Sequence, residues 1–384
     1  MANADLAHVR SEEAPTLPAP VSTTGAIGWM RKNLFSSVGN TILTFIGIWL
    51  AYSIIAPIIQ FAFIDAVWTG DDRQACLATQ EGQTVGACWA YVKAYLPQFI
   101  YGRYPLEERW RVDVVFVLLV FTMVPLLIPS LPRKGLNAIL FLVVFPVVAY
   151  FLLTGLVIGD NVILPIVQTA QWGGLLVTLV IAVTGIVASL PLGIALALGR
   201  RSQMPIVKLV SIIFIEFWRG VPLITVLFMA SVVLPLFLPD GVTFDKLLRV
   251  LIGVTLFASA YMAEVVRGGL QAIPKGQYEG AQALGLRFWP MMYLIILPQA
   301  LKMVIPGIVN TFIGLFKDTT LVLIVGMFDL LGQIQSSFSD PNWSTPTQSY
   351  TGYLFATAIF FVFCFGMSRY SIFMERKLHT GHKR

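Results

Sequence analysis

The chain is organised by long runs of apolar residues separated by short polar breaks. A helix that crosses a bilayer needs about 20 mostly apolar residues, and the sequence supplies eight such runs. They are centred on Val38–Phe63, Val114–Leu131, Leu136–Ile158, Gly174–Leu198, Ile206–Phe237, Leu247–Val266, Met291–Leu315 and Tyr353–Phe373. The pattern predicts an all-α membrane protein of about eight spans. The first three runs contain almost no internal charge. Charged and kinking residues concentrate after Gln171. This predicts a three-helix extension (residues 36–170) followed by a working core of five helices (171–377). No convincing internal repeat is present.

Composition agrees with this. Of 384 residues, 57% are hydrophobic and 12% charged, against roughly 25% charged in ordinary globular chains. A soluble surface cannot be covered with so little charge, so soluble enzymes, disordered chains and disulfide-stapled secreted modules are excluded.

Charge then sets the orientation. Lys and Arg exceed Asp and Glu by 26 to 20, which in a membrane protein reflects basic cytoplasmic loops rather than nucleic acid. Arg31 and Lys32 precede the first run. Arg133–Lys134, Arg200–Arg201–Lys208, Arg267–Lys275–Arg287 and Arg376–Lys377–Lys383–Arg384 fall on one side of an eight-span arrangement. The opposite loops, Gly159–Gly173 and Leu238–Thr243, carry no Lys or Arg. Both termini are therefore expected in the cytoplasm, with a polar arm at residues 1–35 and a basic tail at 378–384. The arm lacks the apolar stretch of a cleavable signal peptide. The long loop 64–111 then lies outside. It carries Cys76 and Cys88, which form either a disulfide, if the compartment is oxidising, or two free thiols; the third cysteine, Cys364, sits in an apolar run. His8, His379 and His382 all lie near the chain ends, which excludes histidine-ligated haem or zinc sites within the spans.

The most informative polar break is Tyr261–Gly285. Pro274 and Gly276 interrupt the helix. Gln277–Leu284 is expected as a short helix with Tyr278, Ala281 and Leu284 on one face. Gly285 allows a turn, and Trp289–Pro290 is expected to open a second short helix. The chain re-enters the bilayer at Ile295-Ile-Leu297-Pro298. An ordinary loop has no need of such an Ala/Gly-rich helical surface, whereas a docking surface does.

This order of residues, Glu279-Gly280-Ala281, then Gly285, then Ile295-x-Leu297-Pro298, resembles the EAA motif of permease subunits of ABC importers, with Gly280 where alanine is usual. Phe214-Ile-Glu216-Phe-Trp-Arg219-Gly-Val-Pro222, Glu264-Val-Val-Arg267-Gly-Gly and Phe316-Lys317-Asp318-Thr319-Thr320-Leu are similar to the polar amino acid permeases of the histidine/glutamate/glutamine type. These stretches span about residues 172–377. The extra three spans and outer loop resemble the larger permease of general L-amino acid importers.

The resemblance implies a type I importer core in the bacterial inner membrane. It implies a second permease subunit as a heterodimer partner, an ABC ATPase dimer, and a periplasmic amino acid-binding protein that delivers an L-amino acid. ATP and Mg would bind the partner ATPase, since this chain has no GK[ST] sequence and so no P-loop; no cofactor is expected on it. Glu279 would reach a groove of the ATPase, while Ala281 and Gly285 permit the contact and the bend.

Charges inside the membrane are costly and call for partners. Glu216 and Arg219 lie three residues apart on one helix face, either as part of a translocation path or gate, or as a self-neutralising pair at the interface. Lys317 and Asp318, with Thr319, either approach the substrate's charged groups or end the seventh helix. Lys302 is read as snorkelling to the interface. The competing reading is a self-contained secondary amino acid transporter or channel, which would need ion-coupling acids in several spans. A membrane enzyme lacks any GxSxG, HExxH or paired intramembrane aspartates.

Overall fold

The computed structural model describes residues 25–78, 84–237, 239 and 244–378. The three histidines, most of the N-terminal arm, nearly all of the Leu238–Thr243 loop and the basic tail from residue 379 lie outside them.

Among the described residues seven helices are long and apolar enough to cross a membrane, and a bent pair makes an eighth. The first four and the sixth and eighth lie close to their expected places: Val38–Ile64, Leu106–Leu127, Lys134–Thr154, Gly174–Arg200, Lys246–Ala272 and Gln348–Leu378.

Two expected spans differ. The fifth run is not one helix; Pro205–Gly220 and Leu223–Phe237 meet at 102°. The cause is local. Val221 is extended (φ −106°, ψ 134°) because a residue before proline is pushed out of helical conformation, and Gly220 ahead of it tolerates the corner. The seventh span is displaced toward the C-terminus and runs Ile305–Val325. What precedes it is a separate stretch, with a wide turn at Met292–Ile296 and a short helix Leu297–Met303. The α-helix Ile305–Asp318 has Pro306 in its first turn, where the missing N–H costs nothing, so the chain restarts there.

Other elements were hidden in the polar breaks. Within loop 64–111, Trp89–Tyr101 forms a helix. A second unforeseen helix, Leu330–Ser337, follows the seventh span. The fold is all-α as expected, with one short addition: Leu156–Ile158 and Asn161–Leu164 pair as an antiparallel hairpin turned at Gly159–Asp160. The strands are short and apolar, so they read as a continuation of the third span.

By compactness the chain divides near residue 66. The first span with residues 84–86 forms one unit, and the rest forms the other. Within the smaller unit, the Val38–Ile59 helix has no buried residue and is apolar on every side, as expected of a helix whose solvent is lipid. In the larger unit, the second and third spans share a core with the fourth and sixth: Val112, Val115 and Phe145 pack with Ile181, Val250 and Val254.

The sixth span is the axis of that unit. In its most apolar stretch 56% is buried, against 39% for the fourth and less for the others. Small residues allow this close approach. A Cβ on Gly193 of the fourth span would come within 2.6 Å of Met262, and one on Gly269 within 2.6 Å of the Ala300 carbonyl.

The two ends of this unit are built differently. At one end Cys76 and Cys88 are joined by a disulfide, with Cα atoms 5.8 Å apart. The Trp89–Tyr101 helix then packs on Leu330–Ser337 through hydrogen bonds of Tyr91 with Ser337 and of Tyr95 with Asp340. The Cys88 amide donates to Thr351 Oγ1 at 3.0 Å. Gly174 begins the fourth span with φ +64°, and a Cβ there would lie 2.2 Å from the Phe99 carbonyl oxygen. Only glycine lets the outer-loop helix and the fourth span meet so closely.

Candidate functional site

At the opposite end the fourth, fifth and sixth helices finish near one another, and their charges meet around Glu264. Arg200 Nη1 lies 2.8 Å from both Glu216 Oε1 and Glu264 Oε1. Arg267 Nη2 is 2.8 Å from Glu264 Oε2, with its Nε donating at 2.9 Å. Arg219 Nη1 is more distant, 3.8 Å from the same oxygen, and sits over the Tyr261 ring at 5.7 Å. Glu264 is the hub, its side chain 16% exposed, while Glu216 at 54% is on the rim.

Glu216 and Arg219 therefore do not pair with each other. Each reaches a different helix, Glu216 to the fourth span and Arg219 to the sixth. Arg200, Glu264 and Arg267 are the members that sequence reasoning passed over as site residues. Arg200 read as one more cytoplasmic basic residue, and Glu264 and Arg267 entered only within a stretch similar to the polar amino acid permeases. The available signal was that two Glu and three Arg fall at the same end of three consecutive predicted helices.

Tyr261 links this network to a cavity of about 380 Å³. Leu223, Phe257, Asn310, Thr311 and Asp318 share its walls with Tyr261. Asp318 thus lies inside the seventh span, at the point where the α-helix gives way to a 3-10 turn over Thr319–Val325. It is not at the span's outer end, as the displaced boundary had suggested. Lys317 is exposed and is not among the residues lining the cavity. Thr319 is buried at 1% and donates back to the Phe316 carbonyl at 2.8 Å, so it serves the helix end rather than the cavity.

Beyond Ala272 the chain turns into the loop that carries Glu279 to Pro298. Lys275–Ala283 forms the expected short helix. Gly285 has φ +74°, with its amide donating to the Gln282 carbonyl at 2.8 Å and the Leu286 amide to Ala281 at 3.1 Å. That is a left-handed helix stop, which glycine adopts without strain. The second helix begins at Phe288, with Pro290 in its third position rather than its first.

Which side chains face outward differs from the helical-face expectation. Ala281 is 2% exposed and packs with Met262, Val266 and Ile296. Its small size lets the loop sit on the protein's own helices, and it is not part of the free surface. Tyr278 is half-buried and donates to the Leu270 carbonyl at 3.3 Å. Leu284, expected beside them, is 77% exposed because it is the helix cap. Glu279 is exposed and, among the described residues, has no ion pair or hydrogen-bond partner. A Cβ on Gly280 would meet nothing within 4 Å, so the alanine usual at this position would fit. Ile295 and Leu297 are half-buried against the same cluster as Ala281, and Pro298 is exposed. The outward surface is thus Glu279, Leu284, Phe288 and Trp289, the last 66% exposed.

The profile of the family described as "binding-protein-dependent transport system inner membrane component" matches residues 189–379. The inner membrane amino-acid ABC transporter permease protein YhdY of Escherichia coli (strain K12) is 50% identical over 367 residues, covering 96% of this chain and 97% of the relative. The glutamate/glutamine/aspartate/asparagine transport system permease protein BztC of Rhodobacter capsulatus is 44% identical, covering 99% of this chain and all of that protein. A chain of a crystallised amino acid ABC transporter with histidines superposes with a TM-score of 0.47 at 30% identity, over 53% of this chain and 92% of that one.

Proposed function

Because the chain belongs to the amino-acid permeases of binding-protein-dependent ABC transport systems, we propose how its two sites divide the work of transport. The protein is a multi-pass permease subunit that carries L-amino acids across the inner membrane, and it is not itself an enzyme. In our reading the Glu279–Pro298 loop receives an ATPase subunit in the cytoplasm. The Glu264 network gates the path, and the Asp318 cavity holds the amino acid in transit.

One observation carries the reading. The loop's inner face, through Ala281, is packed on the same sixth helix that bears Glu264 and Tyr261. A push on Glu279, Leu284 and Trp289 therefore reaches the charge network through packed side chains rather than slack chain. Interiors packed at crystal-like density transmit such displacements. Coupling also requires that ATP favour one conformation over another. The network supports that, because its members lie on three separate helices that can exchange partners as they move.

Chemistry supports the cavity's role. An amino acid brings an ammonium and a carboxylate. Asp318 suits the first, and Asn310, Thr311 and the Tyr261 hydroxyl offer hydrogen bonds to the second. Arg219, held over Tyr261, supplies the positive field on that side. ATP and Mg belong to the partner ATPase, a periplasmic binding protein delivers the substrate, and a second, different permease subunit completes the pathway. Both termini and the loop lie in the cytoplasm, and the disulfide-bearing end faces the periplasm.

The test is uptake by the assembled importer in proteoliposomes, with ATP hydrolysis followed in parallel. Glu279→Lys and Gly285→Val should lower uptake by roughly tenfold or more while leaving ATP hydrolysis by the ATPase running. Asp318→Asn should raise the substrate concentration needed for half-maximal transport. Uptake by the isolated chain driven by an ion gradient would overturn the reading in favour of a self-contained transporter.

A further inference from the structure

A second cavity, of about 710 Å³, lies away from the Asp318 path, between the second, third, fourth and sixth spans. Its walls are aliphatic and aromatic, with Leu119, Phe145 and Val180 among them. Along the fourth span it reaches from Trp172 to Ala188, and along the third from Phe141 to Thr154. At 1.5 Å per residue that is roughly 20 Å, about half of a 40–45 Å bilayer with its head groups. The cavity is thus one leaflet deep.

Polarity is concentrated at the disulfide-bearing end. Gln168, Thr169, Trp172 and Asp245 line it there. Trp172 is only 6% exposed, and among the described residues its indole N–H has no acceptor. A buried donor left unpaired is costly, so the site is built for an acceptor that enters it. Asp245 accepts from Thr169 Oγ1 at 2.5 Å and caps the sixth helix through the Leu248 amide at 3.1 Å, and a carboxylate retains further lone pairs. Among the described residues it is the one carboxylate in the lining, which contains no Lys or Arg.

The geometry points to a binding site for a phospholipid whose head group carries an ammonium. One acyl chain fills the apolar depth, a phosphate or ester oxygen accepts from Trp172 Nε1–H, and the ammonium faces Asp245. An anionic head group would meet Asp245 with no compensating cation. An amino acid would leave most of the apolar wall empty.

The experiment uses the full-length chain with its co-purifying subunits, reconstituted in vesicles of mixed phosphatidylethanolamine and phosphatidylglycerol. Trace amounts of either lipid carrying a tail diazirine are photolysed, and labelled peptides are mapped. The phosphatidylethanolamine probe should label the peptides holding Leu119, Phe145 and Val180 well above the phosphatidylglycerol probe. Trp172→Phe keeps the ring but loses the donor, and should lower that labelling by roughly twofold to tenfold, the range of one hydrogen bond. Asp245→Asn should erase the preference between head groups. Ala149→Phe narrows the cavity without touching the donor and should displace the label even if Trp172→Phe folds poorly. Equal labelling by both probes, insensitive to all three variants, would overturn the site. So would cross-linking of p-benzoylphenylalanine at position 180 to another subunit instead of lipid.

Discussion

The two ends of the larger unit are held by different kinds of force. The disulfide-bearing end is closed by a covalent bond, by tyrosine hydroxyls on Ser337 and Asp340, and by glycine contacts too close for any side chain. The opposite end is closed by five charges on three helices, next to a loop whose outer residues Glu279, Leu284 and Trp289 are exposed. Covalent bonds and tight backbone contacts resist rearrangement. Ion pairs among several Arg and Glu can be exchanged one for another at little net change in energy. A permease that alternates between two access states benefits from one fixed end and one switchable end, and the placement of forces matches that need.

The contrast can be broken at its strongest point first. Cys76→Ser with Cys88→Ser opens a loop of sequence separation 12, which should remove about 3 kcal/mol of stability. Thermal unfolding of the purified chain in detergent, with and without reductant, would show it, while labelling of a cysteine introduced at Glu279 should not change. Glu264→Gln should cost somewhat less, on the order of 2 kcal/mol, because partly buried Arg200 and Arg267 lose their common partner but solvent reaches the site. Its signature is different: the helices at that end should loosen in hydrogen exchange while the disulfide end stays protected. If both ends loosen together, the comparison fails.

Glu279→Arg should leave the melting temperature unchanged and still lower ATP-driven uptake by roughly tenfold, the equivalent of about 1.4 kcal/mol. Equal losses in stability and uptake would mean that the loop is merely structural. The smallest effect concerns Asp329, which caps the Leu330–Ser337 helix by accepting from Gly332 and Leu331 amides at 2.8 and 3.3 Å. Burial raises its carboxyl from the ordinary 3.8 to about 6. The folded chain then holds this proton to higher pH than the unfolded chain does. The resulting stability is fully present below about pH 4 and is lost as pH rises toward 6. Asp329→Asn should flatten that part of the melting-temperature profile and leave the Glu264 end unaffected.

Much of this was legible in the chain itself. Six of the eight apolar runs lie near their spans, because a bilayer imposes a length and an apolarity that composition reveals directly. The loop from Glu279 to Pro298 was legible for a similar reason: proline and glycine break helices locally, whatever surrounds them. The errors share a cause as well. Ile206–Phe237 and Met291–Leu315 are apolar throughout, and hydropathy does not register a corner inside an apolar run. Trp89–Tyr101 was hidden because a helix lying outside the bilayer needs no long apolar stretch.

The sequence by itself determined the membrane class, the places of most apolar helices and the position of the Glu279–Pro298 loop, since these follow from local composition and from residues that stop helices. Only the tertiary structure decided which charges meet. Arg200 and Glu264 are 64 positions apart, and nothing local distinguishes an arginine that anchors a loop from one that joins two helices. It also decided that Ala281 faces inward and Leu284 outward, because the side of a short helix that is covered depends on the distant sixth span beneath it. Partners are chosen by proximity in the folded chain, and proximity is set by packing.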